Sequence, residues 1–194
     1  MARIVISILL LNIALLTSCG GGSAATQPPP PKQQQAYLPL AMGNTWNYDC
    51  GSGVTITDTV TQQVTVNGQT TFALQLQFPN AATQTFLLAN DAQENTTFYG
   101  YLVNGAPVSV TPTLYISANP TAGESFNYPA LGGGTVDRVF VVFENTNPTT
   151  LGVFQVASYN DNGKQDIWGY ALGKGIMEQD HGSFDCKITS YQLH

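Results

Sequence analysis

Hydrophobic and polar residues alternate with a period of two along most of the chain after residue 37, which is typical of strands with one buried face. In the segment 54–66 the apolar positions fall on one face of the predicted strand: Val54, Ile56, Val60, Val64 and Val66. Asp58 and Gln62 interrupt that apolar face. We therefore expect the strand to bend or to change sheets at this point.

Asn-Gly dipeptides lie between alternating segments at Asn67-Gly68, Asn104-Gly105 and Asn162-Gly163. Both central residues of a type I′ hairpin turn need positive φ, which Asn and Gly tolerate best. The strand after the first turn carries a regular apolar face made of Phe72, Leu74, Leu76 and Phe78. The three turns predict antiparallel meanders.

Further strands are predicted at 83–89, 96–103, 108–116, 125–128, 136–143, 153–159, 167–172, 176–179 and 184–193. No sustained helical period follows the amino-terminal segment. The prediction is an all-β fold, a single antiparallel domain of about ten strands over residues 37–194, built as a sandwich, a barrel or a curved half-barrel. The run 139–143 is apolar on both faces, which indicates a central strand covered on both sides or one that borders a lipid-sized cavity.

The amino terminus has the pattern of an export signal, with Arg3 before the apolar run 4–16. That run is shorter than the roughly 20 residues that a membrane-spanning helix needs. The sequence Leu16-Thr17-Ser18-Cys19 resembles the bacterial lipobox. The resemblance implies that residues 1–18 are a lipoprotein signal peptide and that Cys19 is lipidated; an ordinary secretory signal is the alternative. Gly20 follows Cys19, which by resemblance to the enterobacterial sorting rule favours the outer membrane.

Residues 19–36 have the composition of a tether. Glycine and serine come first, then the prolines 28–31, then glutamines. Such a segment cannot bury a core, and its prolines favour an extended chain. We expect it to be disordered and to lift the domain away from the bilayer.

Charge narrows the set of partners. Without residues 1–18 the chain keeps all twelve acidic residues and loses one of its six basic ones, Arg3, so its net charge is −7. An acidic surface argues against binding to nucleic acid and against electrostatic docking on anionic lipid. The lipid on Cys19 is thus the expected membrane contact.

The remaining cysteines, Cys50 and Cys186, form an even pair in an exported chain, and we expect a disulfide between them, with two buried free thiols as the alternative. Cys50 shares strand parity with Trp46 and Tyr48, and Cys186 with Ile188. The bridge would join the first and last strands. A loop of this length is worth about 4–5 kcal/mol in the chain-entropy account.

The start of the domain, Tyr37-Leu38-Pro39-Leu40-Ala41-Met42-Gly43-Asn44-Thr45-Trp46-Asn47-Tyr48, resembles that of many uncharacterised bacterial envelope lipoproteins. They begin with aromatic-x-Pro-Leu-x-x-Gly-Asn-x-Trp-x-Tyr after the tether, and often end in a Trp/Tyr-rich strand, a Gly-x-Gly turn and a final strand. Residues 168–177 fit that carboxyl-terminal pattern. The resemblance implies an antiparallel β fold and an envelope location, without a shared activity.

Candidate chemistry is sparse, and each candidate has a simpler structural explanation. Residues 180–185 place Asp, His181 and Ser183 in one short segment, but a catalytic triad needs side chains that converge in space, so a hairpin turn is expected. Residues 169–175 depart from a phosphate loop in spacing and lack a following Ser or Thr. Residues 160–166 hold calcium-type ligands without a distal Glu, and again predict a turn.

The other candidates are isolated acids and aromatic residues. Glu124, Glu144 and Glu178 have no reason to pair as acid and base. Trp168, Tyr170, Tyr99 and Tyr101 would suit a sugar-stacking platform, although core and rim packing is the commoner role of such residues. We expect no catalytic, cofactor-binding or metal site.

The sequence therefore favours a non-catalytic, lipid-anchored cell-envelope protein that binds a hydrophobic small molecule or an envelope protein through its β domain. Two alternatives remain open. One is an extracytoplasmic hydrolase acting on cell-wall or extracellular polymer, and the other is a structural or adhesive surface module.

Overall fold

The computed structural model describes residues 35–141, 153–159 and 165–194, with the backbone alone at Val141, 153–159 and Gln165. The predicted signal peptide, the lipidation site Cys19 and almost all of the tether lie outside the described residues. Every described residue belongs to a single compact unit, Gln33–His194. Among the described residues there is no helix with the length and apolar character needed to cross a bilayer.

Twelve strands make up the described fold: β1 (Thr45–Asp49), β2 (Thr55–Val66), β3 (Gln69–Phe78), β4 (Ala81–Asn90), β5 (Thr96–Val103), β6 (Ala106–Ile116), β7 (Ser125–Pro129), β8 (Thr135–Val141), β9 (Val153–Tyr159), β10 (Gln165–Ala171), β11 (Gly175–Asp180) and β12 (Asp185–Gln192). The all-β prediction is confirmed. The predicted bounds agree with the structure to within a few residues.

The strands form one antiparallel sheet in the order β6-β5-β4-β3-β2-β1-β12-β11-β10-β9-β8-β7. It consists of two six-stranded meanders, β1–β6 and β7–β12, joined at the centre where β1 pairs with β12. The edge strands of the sheet are β6 and β7. A single sheet excludes the sandwich that the sequence left open.

The sheet curls until its two edges face each other. The Tyr101 hydroxyl on β5 donates to the Pro129 carbonyl at the end of β7, at 2.9 Å. Arg138 on β8 donates from Nη1 to the Tyr115 carbonyl on β6, at 3.2 Å. Within the described residues no hydrogen-bond ladder joins β6 to β7. The fold is therefore a curved half-barrel, one of the three predicted forms.

The junction of β1 with β12 is held together by more than its ladder. Cys50 and Cys186 form the expected disulfide across it, with an S–S distance of 2.05 Å. Buried Asn44 accepts the His194 amide at 2.8 Å and donates to the Pro39 carbonyl at 2.9 Å. The beginning and the end of the domain are thus bonded to each other.

Two hairpin turns have the backbone that their sequence predicts. Asn67 and Gly68 have φ of 51° and 81°, and Asn104 and Gly105 have φ of 50° and 79°. They join β2 to β3 and β5 to β6. The third predicted turn, Asn162-Gly163, lies outside the described residues.

The prediction that the apolar residues of β2 share one face is wrong for its second half. A β-bulge interrupts the pairing with β3 between Val60 and Gln62. An extra residue moves every later side chain to the opposite face. Val66 accordingly packs with Ala73 and Leu87 in a second cluster, apart from the main core.

The interpretation of 139–143 as a central strand is also wrong. The strand is β8, which lies second from the edge of the sheet between β7 and β9. Phe140 is buried in the main core while Val139 is half-buried, and residues 142 and 143 lie outside the described residues. Its apolar character follows from a core on one face and partial cover on the other.

Candidate functional site

A cavity of about 210 Å³ lies inside the curl, between residues of β3–β5 and residues of β7, β8 and β10. Half of the residues that line it are aromatic: Phe78, Phe86, Tyr101, Tyr128 and Trp168. Leu131 and Val136 add aliphatic surface, and Gln84 and Asp166 are the polar side chains among the lining residues. The curl creates this space because the two edges of the sheet approach without pairing.

A second cleft of about 410 Å³ adjoins the cavity. The two share Phe78, Gln84 and Asp166 in their walls, and the cleft continues to His181 and Ser183. Phe78 contacts His181 edge to face, with ring centroids 5.1 Å apart. A ligand would therefore enter the cavity from the cleft, and it would pass Gln84 and Asp166 on the way.

Arg138 is buried behind this cavity with only 1% of its surface exposed. Its guanidinium carbon lies 4.1 Å from the centre of the Tyr115 ring and 5.6 Å from that of Trp168. The guanidinium donates to the Tyr115 carbonyl and, at 3.3 Å, to the Tyr170 hydroxyl. Cation–π contacts of this kind are worth up to about 2 kcal/mol when desolvated. Arginine stays protonated in proteins, so the aromatic cage holds a full positive charge.

A chain of polar side chains leads from the core to the cavity wall. Asp58 on β2 is fully buried, and it accepts hydrogen bonds from the Gln77 amide at 2.9 Å and from Gln179 Nε2. Burial raises the pKa of Asp58 from its usual 3.8 to about 7, because a carboxylate is costly to desolvate. Asp58 therefore ionises near neutral pH rather than in acid.

His181 continues the chain of polar side chains to the surface. Its Nε2 lies 2.9 Å from Gln179 Oε1, and its Nδ1 lies 3.3 Å from Asp166 Oδ1. Since Gln179 uses its amide nitrogen to donate to Asp58, its oxygen accepts from His181, and Nε2 carries a proton. Among the described residues, the His181 imidazole makes its hydrogen bonds with the side chains of Gln179 and Asp166, whereas a catalytic triad would require one with the Ser183 hydroxyl.

Two of the three segments with candidate chemistry contain turns in the described residues. Residues 181–184 connect β11 to β12, and the His181 amide donates to the Phe184 carbonyl across the turn. Residues 169–175 include the β10–β11 turn. The Trp46 indole donates to the Lys174 carbonyl at 2.6 Å, and Tyr48 donates to the Ile176 carbonyl at 3.1 Å. The two ends of the motif that resembles envelope lipoproteins are thus in contact.

The remaining candidates do not come together. Tyr101, Trp168 and Tyr170 are buried, while Tyr99 packs against the second cluster, so they form no flat platform. Glu124 bonds locally to the Thr121 amide, and Glu178 lies on β11. Glu144 and most of 160–166 lie outside the described residues. In the part of the chain that the structure describes, no three His, Cys, Asp or Glu side chains are placed to hold a metal ion.

The sequence analysis missed Arg138 as a functional candidate. The signal was present, because Arg138 alternates with Val136 and Phe140 and so shares their inward parity. Asp58 was noticed only as an interruption of an apolar face. The contact of His181 with Asp166 depends on the bulge between Gly169 and Tyr170, which has no signature in the sequence.

Comparisons of the chain with family models, with curated proteins and with solved structures find no match.

Proposed function

We propose that this chain is a lipid-anchored protein of the bacterial cell envelope whose β domain binds a small hydrophobic ligand. The observation that carries the proposal is the cavity of about 210 Å³, with its aromatic wall and its few polar side chains. The anchor rests on the lipobox ending at Cys19, and the net charge of −7 leaves the lipid as the main membrane contact.

Apolar and aromatic side chains predominate in the lining of the cavity, while polar atoms supply slightly more than half of the surface exposed inside it. Small-molecule sites are concave and mostly apolar, with a few polar groups that orient the ligand. Native cores otherwise pack as densely as organic crystals and hold few voids larger than a water molecule. The hollow walled by Phe86, Tyr101 and Trp168 is partly open and adjoins a wider cleft, so it offers both a pocket and an entrance.

A soluble chain beginning at Gly20 and exported so that its disulfide forms is suited to test binding. Titration with a neutral naphthalene fluorophore should give saturable emission, because an apolar pocket excludes water from the dye. Leu131→Trp would fill the cavity from its rim and should weaken binding about tenfold or more. Val108→Trp is the matched control, since Val108 is exposed to 46% and Leu131 to 48%, but only Leu131 lines the cavity.

Absence of saturable emission in the wild-type chain would refute the proposed pocket. Equal loss of binding in both tryptophan variants would also count against it, because it would place the dye on the surface. A wild-type chain that crosslinks to an envelope protein and binds no dye would instead favour the protein-binding form of the prediction.

The lipid anchor is tested on the native protein by mass spectrometry. The expected amino-terminal peptide begins at Cys19 and carries diacylglycerol on the sulfur and an acyl chain on the amine. Cys19→Ala should abolish the modification and release the protein from membranes. Cleavage at another residue, or an unmodified Cys19, would remove the anchor from the proposal.

A hydrolase is the second candidate, and one observation favours it: His181, Asp166 and Ser183 line the same cleft. The bond from His181 to Gln179 opposes it, because that nitrogen is already committed. Hydrolysis of a cell-wall polymer that disappears in His181→Ala and persists in Leu131→Trp would favour the hydrolase over the binding protein.

A further inference from the structure

Two buried N–H groups next to the cavity have no acceptor in the part of the chain that the structure describes. They are Arg138 Nε and Trp168 Nε1. The two side chains are in contact, since the Arg138 guanidinium carbon lies 5.6 Å from the centre of the Trp168 ring. An unmade hydrogen bond on a buried donor costs about 1–3 kcal/mol, so native structures leave few of them. Two at one place indicate an acceptor that arrives from outside.

The charge at this place is also uncompensated. Among the described residues, no carboxylate lies within 4.0 Å of the Arg138 guanidinium. The acids of the polar chain are engaged elsewhere, Asp58 with Gln77 and Gln179, and Asp166 with His181. A buried cation without a counter-charge costs several kcal/mol even after relaxation. The missing partner is therefore an anion.

The location connects this charge with the cavity. Trp168 and Tyr128 line the cavity, and the rings of both also face the guanidinium, at 5.6 Å and 6.0 Å. Arg138 thus lies directly behind two side chains of the cavity wall. Arg138 does not itself line the cavity, so a ligand there would reach the guanidinium only through movement of one of these rings.

We infer that the ligand of this cavity is a small amphipathic monocarboxylate, with its apolar body against the aromatic wall and its carboxylate on Arg138 Nε and Trp168 Nε1. The inference rests on the proposed function and specifies its ligand class. A planar guanidinium and a carboxylate form strong charge-assisted hydrogen bonds, and the surrounding rings exclude water from them. The body of the ligand supplies burial, and the head group supplies selectivity.

Calorimetric titration of the soluble chain with matched ligands tests the inference. Octanoate should bind at least about tenfold more tightly than octanol or methyl octanoate, because only octanoate neutralises the buried charge. Acetate, which has the head group without the body, should not compete. This comparison needs no variant and is therefore independent of any folding defect.

Arg138→Met keeps the length of the side chain and removes its charge, and it should lower octanoate affinity to that of octanol while leaving octanol unchanged. Arg138→Lys should retain part of the preference. Lys187→Met is the matched control, because Lys187 is an exposed cation on β12 that does not line the cavity, and its loss should not alter octanoate binding.

The possible failures are distinguishable. Equal binding of octanoate and octanol, unaffected by Arg138→Met, would overturn the carboxylate inference and leave the hydrophobic pocket in place. Binding of acetate as tight as that of octanoate would also overturn the inference, since it would indicate a plain anion site. If octanoate, octanol and the naphthalene dye all fail to bind, the inference and the proposed function are both overturned.

Discussion

The two halves of the sheet meet at two places, and these differ in almost every respect. Where β1 meets β12, the strands pair along their length and Cys50 bonds to Cys186. Where β6 faces β7, the described residues form no ladder. Side chains bridge the gap: Tyr101 donates to the Pro129 carbonyl, and Arg138 on β8 contacts Tyr115 through one long hydrogen bond and a cation–π contact. We call these the closed junction and the open junction.

In the proposed function, the closed junction contributes mainly to stability, whereas the open junction contributes mainly to ligand binding. At the closed junction the Trp46 indole, the Tyr48 hydroxyl and the Asn44 amide all have partners. Next to the open junction, Arg138 Nε on β8 and Trp168 Nε1 on β10 have none among the described residues, and Trp168 lines the cavity. Proteins depart from full polar satisfaction mainly at functional sites. We therefore expect changes at the closed junction to cost stability and changes at the open one to cost ligand affinity.

Removal of the disulfide should have the largest effect on stability. The double variant Cys50→Ala, Cys186→Ala releases a loop with a sequence separation of 136 residues. The free energy of unfolding should fall by about 4–5 kcal/mol, since the unfolded chain regains its loop entropy. Guanidinium denaturation measures the change. Reduced wild-type protein should lose a similar amount, and an unchanged midpoint in both would contradict the role given to the closed junction.

The buried carboxyl of Asp58 should make stability depend on pH. Burial raises its pKa from 3.8 to about 7, so between these values the folded state holds a proton that the unfolded state has lost. This contribution to stability is complete below pH 3.8 and is lost as the pH rises through 7. The titration of Asp58 changes the free energy of unfolding by at most about 1.4 kcal/mol per pH unit.

Asp58→Asn should remove this pH dependence of the free energy of unfolding. Urea denaturation at several pH values between 4 and 8 measures it. Asp91→Asn is the control, because hydrogen bonds from Asn95 lower the pKa of exposed Asp91 and place its effect below this window. A variant with Asn at position 58 that kept the wild-type slope would show that another group titrates there.

Gly175 offers a smaller test of the closed junction. A Cβ at this position would lie 2.5–2.7 Å from the Trp46 indole, and the backbone has φ of 93°. Gly175→Ala should therefore destabilise the fold by about 2–4 kcal/mol through overpacking and backbone strain. Gly182→Ala is the matched control, since φ is 72° and nothing lies within 4 Å, and it should cost about 1 kcal/mol. If thermal unfolding shows that both variants lose the same stability, the contact with Trp46 does not contribute to the effect at position 175.

Arg138→Met, at the open junction, should have the smallest effect on stability. Replacing an uncompensated buried charge with an apolar side chain of similar length should change the free energy of unfolding by less than about 1 kcal/mol, or raise it. Arg138→Ala, which leaves a void, should cost about 2–4 kcal/mol. A loss of 3 kcal/mol or more in the Met variant, measured by chemical denaturation, would contradict the distinction between the junctions.

Local signals in the sequence predicted the local features of the fold. Asn67-Gly68 and Asn104-Gly105 specify their turns because only a few residue types adopt positive φ without strain. The even pair of Cys50 and Cys186 in a chain with an export signal predicted the bridge, and the strand parity of both residues agreed with it. These features depend on residues that are near in sequence or on one pair of cysteines.

Features that depend on the global curl were not predicted. The bulge at Val60–Gln62 reverses the faces of Val64 and Val66, and a shift of one residue has no marker in the alternation itself. The cavity exists because residues of β3–β5 and residues of β7, β8 and β10 approach across the curl, which no local segment encodes. Arg138 became a candidate only when the structure showed that no carboxylate among the described residues lies near it.

The pairing of β1 with β12 also constrains the order of folding. A chain is synthesised from its amino end, so β1 is made early and its partner, the last eight-residue strand, is made last. Until then one edge of β1 lacks a neighbour, and unpaired strand edges promote aggregation. The Cys50 thiol stays available to wrong partners over the same interval. The middle of the sheet is thus completed only once β12 has been made, and any catalyst of disulfide formation would join Cys50 to Cys186 after β12 has emerged.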